Sequence, residues 1–306
     1  MPALLGLIQL LTIGAIGFWI ITVLYTAWSL LHPPKRTYAW ALHRGVPGDP
    51  SELDTPLEFE TISITSNNRK LHAWCIKGLN PAGPRLVLIH GWGSSSIGAL
   101  KRIPHLADCA SQIITLDLPG HGDSDGTSQM GTSEHNDLDI LLSTLDETMS
   151  QPGPTIVYGW SMGAGIALRF ARDFGQTHQV TKVIAESPYI HAITPARNVI
   201  KLRGLPTKLN LKPAIALIGL LKRVGPSWTG FPRDQIASTL PVPLLLIHGT
   251  IDPVCPLNDA QSIRSAAPDA KLIEINEAGH NNIWTVPEFT GQAATAIDEL
   301  IEGATA

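Results

Sequence analysis

Charge is missing from the start of this chain: none of the first 31 residues carries a charged side chain. Acid is missing from a second window. Between Glu186 and Asp234 there is no Asp or Glu, yet eight bases occur there: Arg197, Lys201, Arg203, Lys208, Lys212, Lys222, Arg223 and Arg233. That leaves 14 of the 22 basic residues to face all 26 acidic ones elsewhere. Cysteine is scarce. Cys75, Cys109 and Cys255 are odd in number and unrelated in spacing, which excludes a disulfide framework and a C-x-x-C metal motif. They read as free thiols in a reducing compartment. Internal repeats and low-complexity segments are lacking. The net charge of −4 and pI near 6.2 give no reason to expect nucleic acid.

What fills the first gap is apolar. Ala3 to Leu31 is dominated by Leu, Ile, Gly, Ala, Val and aromatics, a run longer than the ~20 residues that span a bilayer as a helix. Trp28 suits an interfacial position. A cleaved signal peptide would want a basic start, a shorter apolar core and a small-x-small cleavage site, and none is present. The reading is an uncleaved single-pass anchor at 3–31. Lys35, Arg36 and Arg44 follow it, so the positive-inside rule puts the remainder of the chain in the cytoplasm. Residues 32–56 read as a linker rich in Pro, Gly and acids. Fully extended, they would reach roughly 80 Å, enough for the basic window to touch an anionic membrane face. A solvated basic surface paired to acids elsewhere explains that window equally well.

Beyond the linker, alternating runs at 57–65 and 71–77 with Asn67-Asn68 between them suggest a hairpin. Arg85–Ile89 is a continuous apolar run, as in a strand covered on both faces. A helical segment is expected over 97–108, a strand over 112–116, and a helix over 134–149 with Leu138, Leu141, Leu142 and Leu145 on one face. Further strands fall at 180–185, 244–247 and 271–275, with helices near 258–266 and 287–301. Alternating strands and helices make an α/β domain at 57–302 with a mostly parallel sheet and helices on both faces. The stretch 187–240 is too long for a plain connection and reads as a helical cap over the mouth of the site.

The chain is organised around Thr155-Ile-Val-Tyr-Gly159-Trp-Ser161-Met-Gly163-Ala-Gly165. A buried strand, a sharp turn with serine at its tip and a small-residue helix start are the parts of a G-x-S-x-G nucleophile elbow. A serine hydroxyl is a poor nucleophile until a base takes its proton, so it must stand exposed on a strained turn. Gly159 and Gly163 flank it where strand and helix cross closely. The small residues from Gly163 to Gly165 are expected to face the sheet.

Eleven histidines compete to be the base. In the order nucleophile, acid, histidine, Asp252 of His248-Gly-Thr-Ile-Asp252 lies just after an apolar strand. Only His280 follows it in the chain. Ser161, Asp252 and His280 are therefore the expected catalytic set, with Glu186 as an alternative acid. The backbone N–H groups of Met162 and of Trp92, in His90-Gly-Trp-Gly93, are the expected oxyanion donors. His90, His121 and His248 read as loop histidines. Cys255, though close to Asp252, is not expected to be a second nucleophile. Asp123, Asp125 and Glu134 imitate an EF-hand, but the glycine stands at the fourth loop position rather than the sixth, and no metal or cofactor is expected. An aspartate nucleophile, as in epoxide hydrolases, is excluded by serine at the elbow.

The set His90-Gly-Trp-Gly93, Asp117-Leu-Pro-Gly-His-Gly122 with Ser124, Gly159-Trp-Ser-Met-Gly163, His248-Gly-Thr-Ile-Asp252 and Gly279-His280 resembles the α/β-hydrolase superfamily over about residues 57–302. It is most similar to membrane-anchored serine hydrolases related to monoacylglycerol lipases and protein depalmitoylases. The resemblance implies a membrane-tethered serine hydrolase that cleaves carboxylic esters or thioesters of lipid-like acyl substrates through Ser161, Asp252 and His280 and an acyl-enzyme. A catalytically silent binding protein of the same fold and an acyltransferase with the same triad are the alternatives. The complete triad favours an enzyme.

Overall fold

The structure is a computed structural model that describes residues 1–147, 153–202, 204, 207–267 and 269–303. Arg203 and Met149, both in stretches considered above, lie outside the described residues. Helix α1 (Pro2–Leu31) and short helix α2 (Tyr38–Arg44) precede the sheet. Then come β1 (Phe59–Ser66), β2 (Arg69–Lys77), β3 (Arg85–Ile89), β4 (Gln112–Leu116), α3 (Glu134–Asp146), β5 (Thr155–Trp160), α4 (Met162–Phe174) and β6 (Val180–Glu186). After them run α5 (Ile193–Leu202), α6 (Leu211–Leu221), α7 (Arg233–Ala237), β7 (Leu244–Gly249), α8 (Leu257–Ala266), β8 (Ala270–Ile275) and α9 (Pro287–Glu302). The strands form one eight-stranded sheet in the order β1-β2-β4-β3-β5-β6-β7-β8. β2 pairs antiparallel with both β1 and β4, and every other pairing is parallel. Asn67 and Asn68 turn the first hairpin with φ of 49° and 59°, the left-handed pair that matches strand twist and that asparagine tolerates.

Side chains of the central strands divide between two cores. Val87, Ile89, Val157 and Val183 pack beneath α3, α4, α7 and α8. Leu86, Leu88, Ile156, Tyr158 and Ile184 pack on the opposite face against α9 and the segment after β3. That segment differs from the expected helix: over 97–108 it makes three separate 3₁₀ turns, Ser96–Ala99, Ile103–His105 and Ala107–Cys109. Pro104 explains the difference, since it lacks an N–H and its ring clashes with the carbonyl four residues earlier. The apolar periodicity survives, because Leu100, Ile103 and Leu106 are all buried.

The stretch 32–56 is more ordered than a linker. α2 ends on Gly45 at φ 63°, a left-handed helix cap that glycine adopts without strain. Glu52 accepts hydrogen bonds from the Tyr38 hydroxyl and from the Gly48 amide. Leu53 and Leu57 enter the core under α9. The chain leaving α1 is thus folded against the domain, far short of its extended reach.

α1 is long and apolar enough to cross a membrane, and most of its first two-thirds is exposed. Its last turns bury one face. Val23, Ala27 and Leu30 pack with Leu211, Ala214, Ile215 and Ile218 of α6. Trp19 Nε1–H donates to the Leu209 carbonyl at 2.9 Å, and Asn210 Nδ2–H donates to Thr26 Oγ1 at 2.8 Å.

Behind the sheet's carboxyl edge lies a buried ion pair. Glu186 accepts from Arg102 Nη2 at 2.5 Å and Nε at 2.9 Å, from the Tyr158 hydroxyl at 2.5 Å and from Trp284 Nε1 at 2.9 Å. Burial alone would raise the Glu186 carboxyl, but Arg102 outweighs it and holds the group below its ordinary range. Removing one partner of such a pair strands a buried charge, at a cost of about 3–5 kcal/mol. Arg102→Met should lower unfolding free energy by that order in denaturant titrations, and Arg102→Met with Glu186→Gln should recover part of the loss.

Candidate active site

The site is built where β5 hands over to α4. Ser161 sits between them with φ 55° and ψ −115°, a backbone conformation that L-residues adopt only under strain and that points to function. The handover is possible because two positions lack a Cβ. One at Gly159 would stand 2.1 Å from the Gly163 carbonyl oxygen, and one at Gly163 would stand 2.0 Å from that of Ile89. Gly165 differs from the expected role. A Cβ there would meet not the sheet but the buried Arg233 side chain, 1.5 Å from its Nε. Arg233 stacks on Tyr189 and Phe231 at 4.0 and 4.2 Å from their ring centroids. It therefore leaves the set of surface bases. Lys222 is half-buried and donates to Gln129 Oε1 at 2.8 Å.

The three residues expected from the motifs come together across 119 positions of sequence. His280 Nε2 lies 3.2 Å from Ser161 Oγ. Its Nδ1 lies 2.7 Å from Asp252 Oδ2. Asp252 Oδ1 accepts from the amides of Val254 and Cys255 at 2.8 and 2.9 Å. Burial would raise the Asp252 carboxyl, but His280 and these two amides outweigh it and keep the pKa low. The carboxylate thus stays ionised while its side chain is closed to solvent. This arrangement can draw a proton from the serine and hold the resulting imidazolium.

The alternative acid is excluded by position. Glu186 spends both oxygens on Arg102, Tyr158 and Trp284, although its carbonyl accepts the Ser161 N–H at 2.8 Å. His90 and His121 are loop histidines, whereas His248 stands in β7, one residue before its end. His90 Nε2 accepts from the Leu118 amide at 3.0 Å, leaving Nδ1–H to donate to Gly91 O at 2.8 Å. His121 is pushed by burial to a pKa of about 4. His248 Nε2 bonds the Cys255 carbonyl at 2.9 Å, bracing the loop that carries Asp252. The EF-hand outline dissolves: Glu134 is buried and accepts from the Gly131 and Ser133 amides at 3.0 and 3.2 Å.

Asp252, Cys255 and His280 bring three metal-ligand types within 4.8 Å of one another. Burial drives the Cys255 thiol well above its ordinary pKa, so it stays protonated against the Ser161 hydroxyl. The His280 Nδ1–Asp252 bond occupies the other two groups. A proton relay fits this donor set better than a thiolate metal site does.

Met162 opens α4, so helix geometry gives its amide no carbonyl one turn back. Trp92 follows β3 and lines the same cavity of about 320 Å³ as Ser161, Met162 and His280. Its indole Nε1–H donates to the Leu30 carbonyl at 2.8 Å. Leu30, Pro34 and Arg36 also line this cavity, as do Ala196, Val199 and Leu202 of α5. The sequence offered no signal for Pro34, Arg36 or Lys101 at the site, because their placement depends on how α1 and the following stretch fold back.

The Alpha/beta hydrolase family profile matches residues 86–293. The chain is 26% identical over 262 residues to the pimeloyl-[acyl-carrier protein] methyl ester esterase of Aromatoleum aromaticum, a match over 72% of this chain and 99% of that protein. It superposes on an esterase of Pyrococcus furiosus with a TM-score of 0.67 at 20% identity, over 90% of this chain and 98% of the other. A membrane phospholipase A described as a bacterial virulence factor matches with a TM-score of 0.60 at 18% identity, over 98% of both chains.

The crossing geometry generates a test. Gly163→Ala must displace α4 from β3, since the obstructing atoms are backbone. The variant should lose fluorophosphonate labelling of Ser161 and melt lower, whereas Ala167→Gly, in the same helix, should cost only about 2 kcal/mol, from helix propensity and one buried methyl, and keep labelling.

Proposed function

We propose that this chain, which belongs to the alpha/beta hydrolase family and is a serine hydrolase of the esterase type, cleaves lipid-like acyl esters or thioesters at a membrane surface through Ser161, His280 and Asp252. The observation that carries the reading is the unbroken line of bonds from Asp252 through His280 to Ser161.

In this reading His280 Nε2 takes the Ser161 proton as Oγ attacks the acyl carbonyl carbon. Asp252 keeps the His280 Nδ1–H tautomer and steadies the imidazolium. The amides of Met162 and Trp92 hold the oxyanion of the tetrahedral intermediate. Collapse expels the alcohol or thiol, which leaves with the proton on His280. A water molecule, deprotonated by the same imidazole, then releases the acid from the acyl-enzyme. The apolar wall from Leu30, Ala196 and Val199 suits an acyl chain.

Membrane tethering rests on α1, whose exposed apolar surface favours a bilayer over water. Lys35, Arg36 and Arg44 beyond it favour a cytoplasmic domain. Arg197, Lys201, Lys208 and Lys212 border a cleft shared with Ala15, Phe18, Trp19 and Thr22 of α1. These bases flank α1 near the point where its exposed apolar surface gives way to packing on the domain, the depth at which anionic head groups would meet them.

Ser161→Ala should abolish ester turnover without changing the melting temperature, and His280→Ala should fall to a similar level because the groups act as a unit. Asp252→Asn should lose on the order of 10³–10⁴ in kcat through the wrong tautomer. Near-normal turnover in His280→Ala would remove it as the base. Failure of fluorophosphonate to label Ser161 in the folded protein would leave a binding protein instead.

For topology, the protein should stay with membranes through carbonate extraction, and a C-terminal reporter should read as cytoplasmic. A mature chain beginning near residue 30 and free of membranes would make α1 a signal sequence.

A further inference from the structure

The active cavity carries two cations that the proposed hydrolysis leaves unused. Arg36 and Lys101 line it together with Ser161 and His280. Both also border a neighbouring hollow of about 300 Å³ that runs behind Trp40 and Leu53. Arg36 lies with its guanidinium carbon 4.9 Å from the Trp40 ring centroid. Lys101 Nζ donates to the Asn281 carbonyl at 3.0 Å, on the residue next to His280. Among the described residues, neither has a carboxylate within ion-pair distance. The one acid that Lys101 senses, Glu186, is already bound by Arg102.

Two like charges in a half-buried cavity are unfavourable without a counter-ion. Burial, then Arg102, and also Arg36 push Lys101 down to about 8. Burial and Arg44 likewise lower Arg36. Natural proteins rarely keep such a pair desolvated unless an anion completes it. A guanidinium fork beside an ammonium point charge suits the two or three oxygens of a carboxylate or phosphate. The apolar wall of Leu30, Ala196 and Val199 belongs to the same cavity, so one small molecule can meet both surfaces.

We propose that Arg36 and Lys101 form an anion-recognition site within the active cavity, and that the preferred substrates are acyl esters carrying a carboxylate or phosphate on the same molecule. This deepens the esterase reading and rests on it. Arg36 and Lys101 set specificity; they take no part in proton transfer. The anion stands either on the acyl part, as in a monoester of a dicarboxylic acid, or on the alcohol part, as in a phosphate-bearing glycerol ester.

The test uses the full chain in detergent and two matched pairs of substrates. One pair is p-nitrophenyl butyrate and mono-p-nitrophenyl glutarate; the other is a monoacylglycerol and its phosphorylated counterpart. The readout is the ratio of kcat/KM for the anionic ester to that for its neutral partner. At least one ratio should exceed unity by about 10- to 100-fold, the worth of one or two charge-assisted hydrogen bonds. Whichever pair responds identifies the part that bears the anion. Arg36→Ala and Lys101→Ala should each collapse that ratio through KM, Lys101→Arg should keep most of it, and Arg36→Glu should invert it. A variant that is merely misfolded lowers both members of a pair and leaves the ratio alone. Ratios near unity in the wild-type protein, or a preference that survives Arg36→Ala and Lys101→Ala, would overturn the proposal. Fluorophosphonate labelling of Ser161 is followed in parallel: labelling with a flat ratio sinks only the anion site, whereas absent labelling sinks the esterase reading beneath it.

Discussion

Everything at this site depends on how closely β5, α4 and β3 approach. The separation is set by two missing side chains, at Gly159 and Gly163, where a Cβ would fall 2.0–2.1 Å from a backbone oxygen. Closing that distance forces Ser161 into its left-handed turn and brings the start of α4 against the end of β3. The serine, the first amide of α4 and the loop after β3 are therefore placed by one packing constraint. Strain at Ser161 is sustained because β3 and β5, which hold the turn, are buried along their whole length.

A second constraint supports the first from behind. The carboxyl ends of β5 and β6 meet at Tyr158 and Glu186, and Arg102 ties both to the 3₁₀ segment after β3. Glu186 also accepts the Trp284 indole N–H, four residues beyond His280. The same buried charge thus pins the strand leading to the serine and the loop that carries the histidine. This is a costly arrangement if any partner is lost, and it leaves the carboxylate of an acid so near the site bound to Arg102, Tyr158 and Trp284.

The proposed site could be picked out of the sequence because the motifs that suggest it are local patterns. Ser161 announces itself by flanking glycines, Asp252 by its place after an apolar strand, and His280 by being the last histidine in the chain. The parallel strands were equally legible as continuous apolar runs. What escaped the sequence depends on contacts distant along the chain. Pro104 broke an apolar period into 3₁₀ turns without disturbing which residues are buried. Arg233 looked like one more surface base until Gly165, Tyr189 and Phe231 enclosed it. The stretch 32–56 looked irregular because its order comes from single contacts, such as Tyr38 and Gly48 on Glu52, which have no period. Arg36 reached the cavity for the same reason.

These long-range contacts alter what α1 is for. A tether needs only length and apolarity, and the exposed first two-thirds of α1 has nothing else. The last turns instead belong to the domain: Leu30 lines the cavity, and its carbonyl accepts the indole N–H of Trp92. Trp92 sits in the loop proposed to hold the oxyanion, and its bond to Leu30 joins the end of α1 to that loop. Pro34 and Arg36 continue the cavity wall directly from the helix. A chain shortened to the folded domain would lose an apolar wall, one of two cavity cations and a brace on the loop after β3. In the proposed reading, the tether and the wall of the cavity are one continuous helix and its first turn beyond.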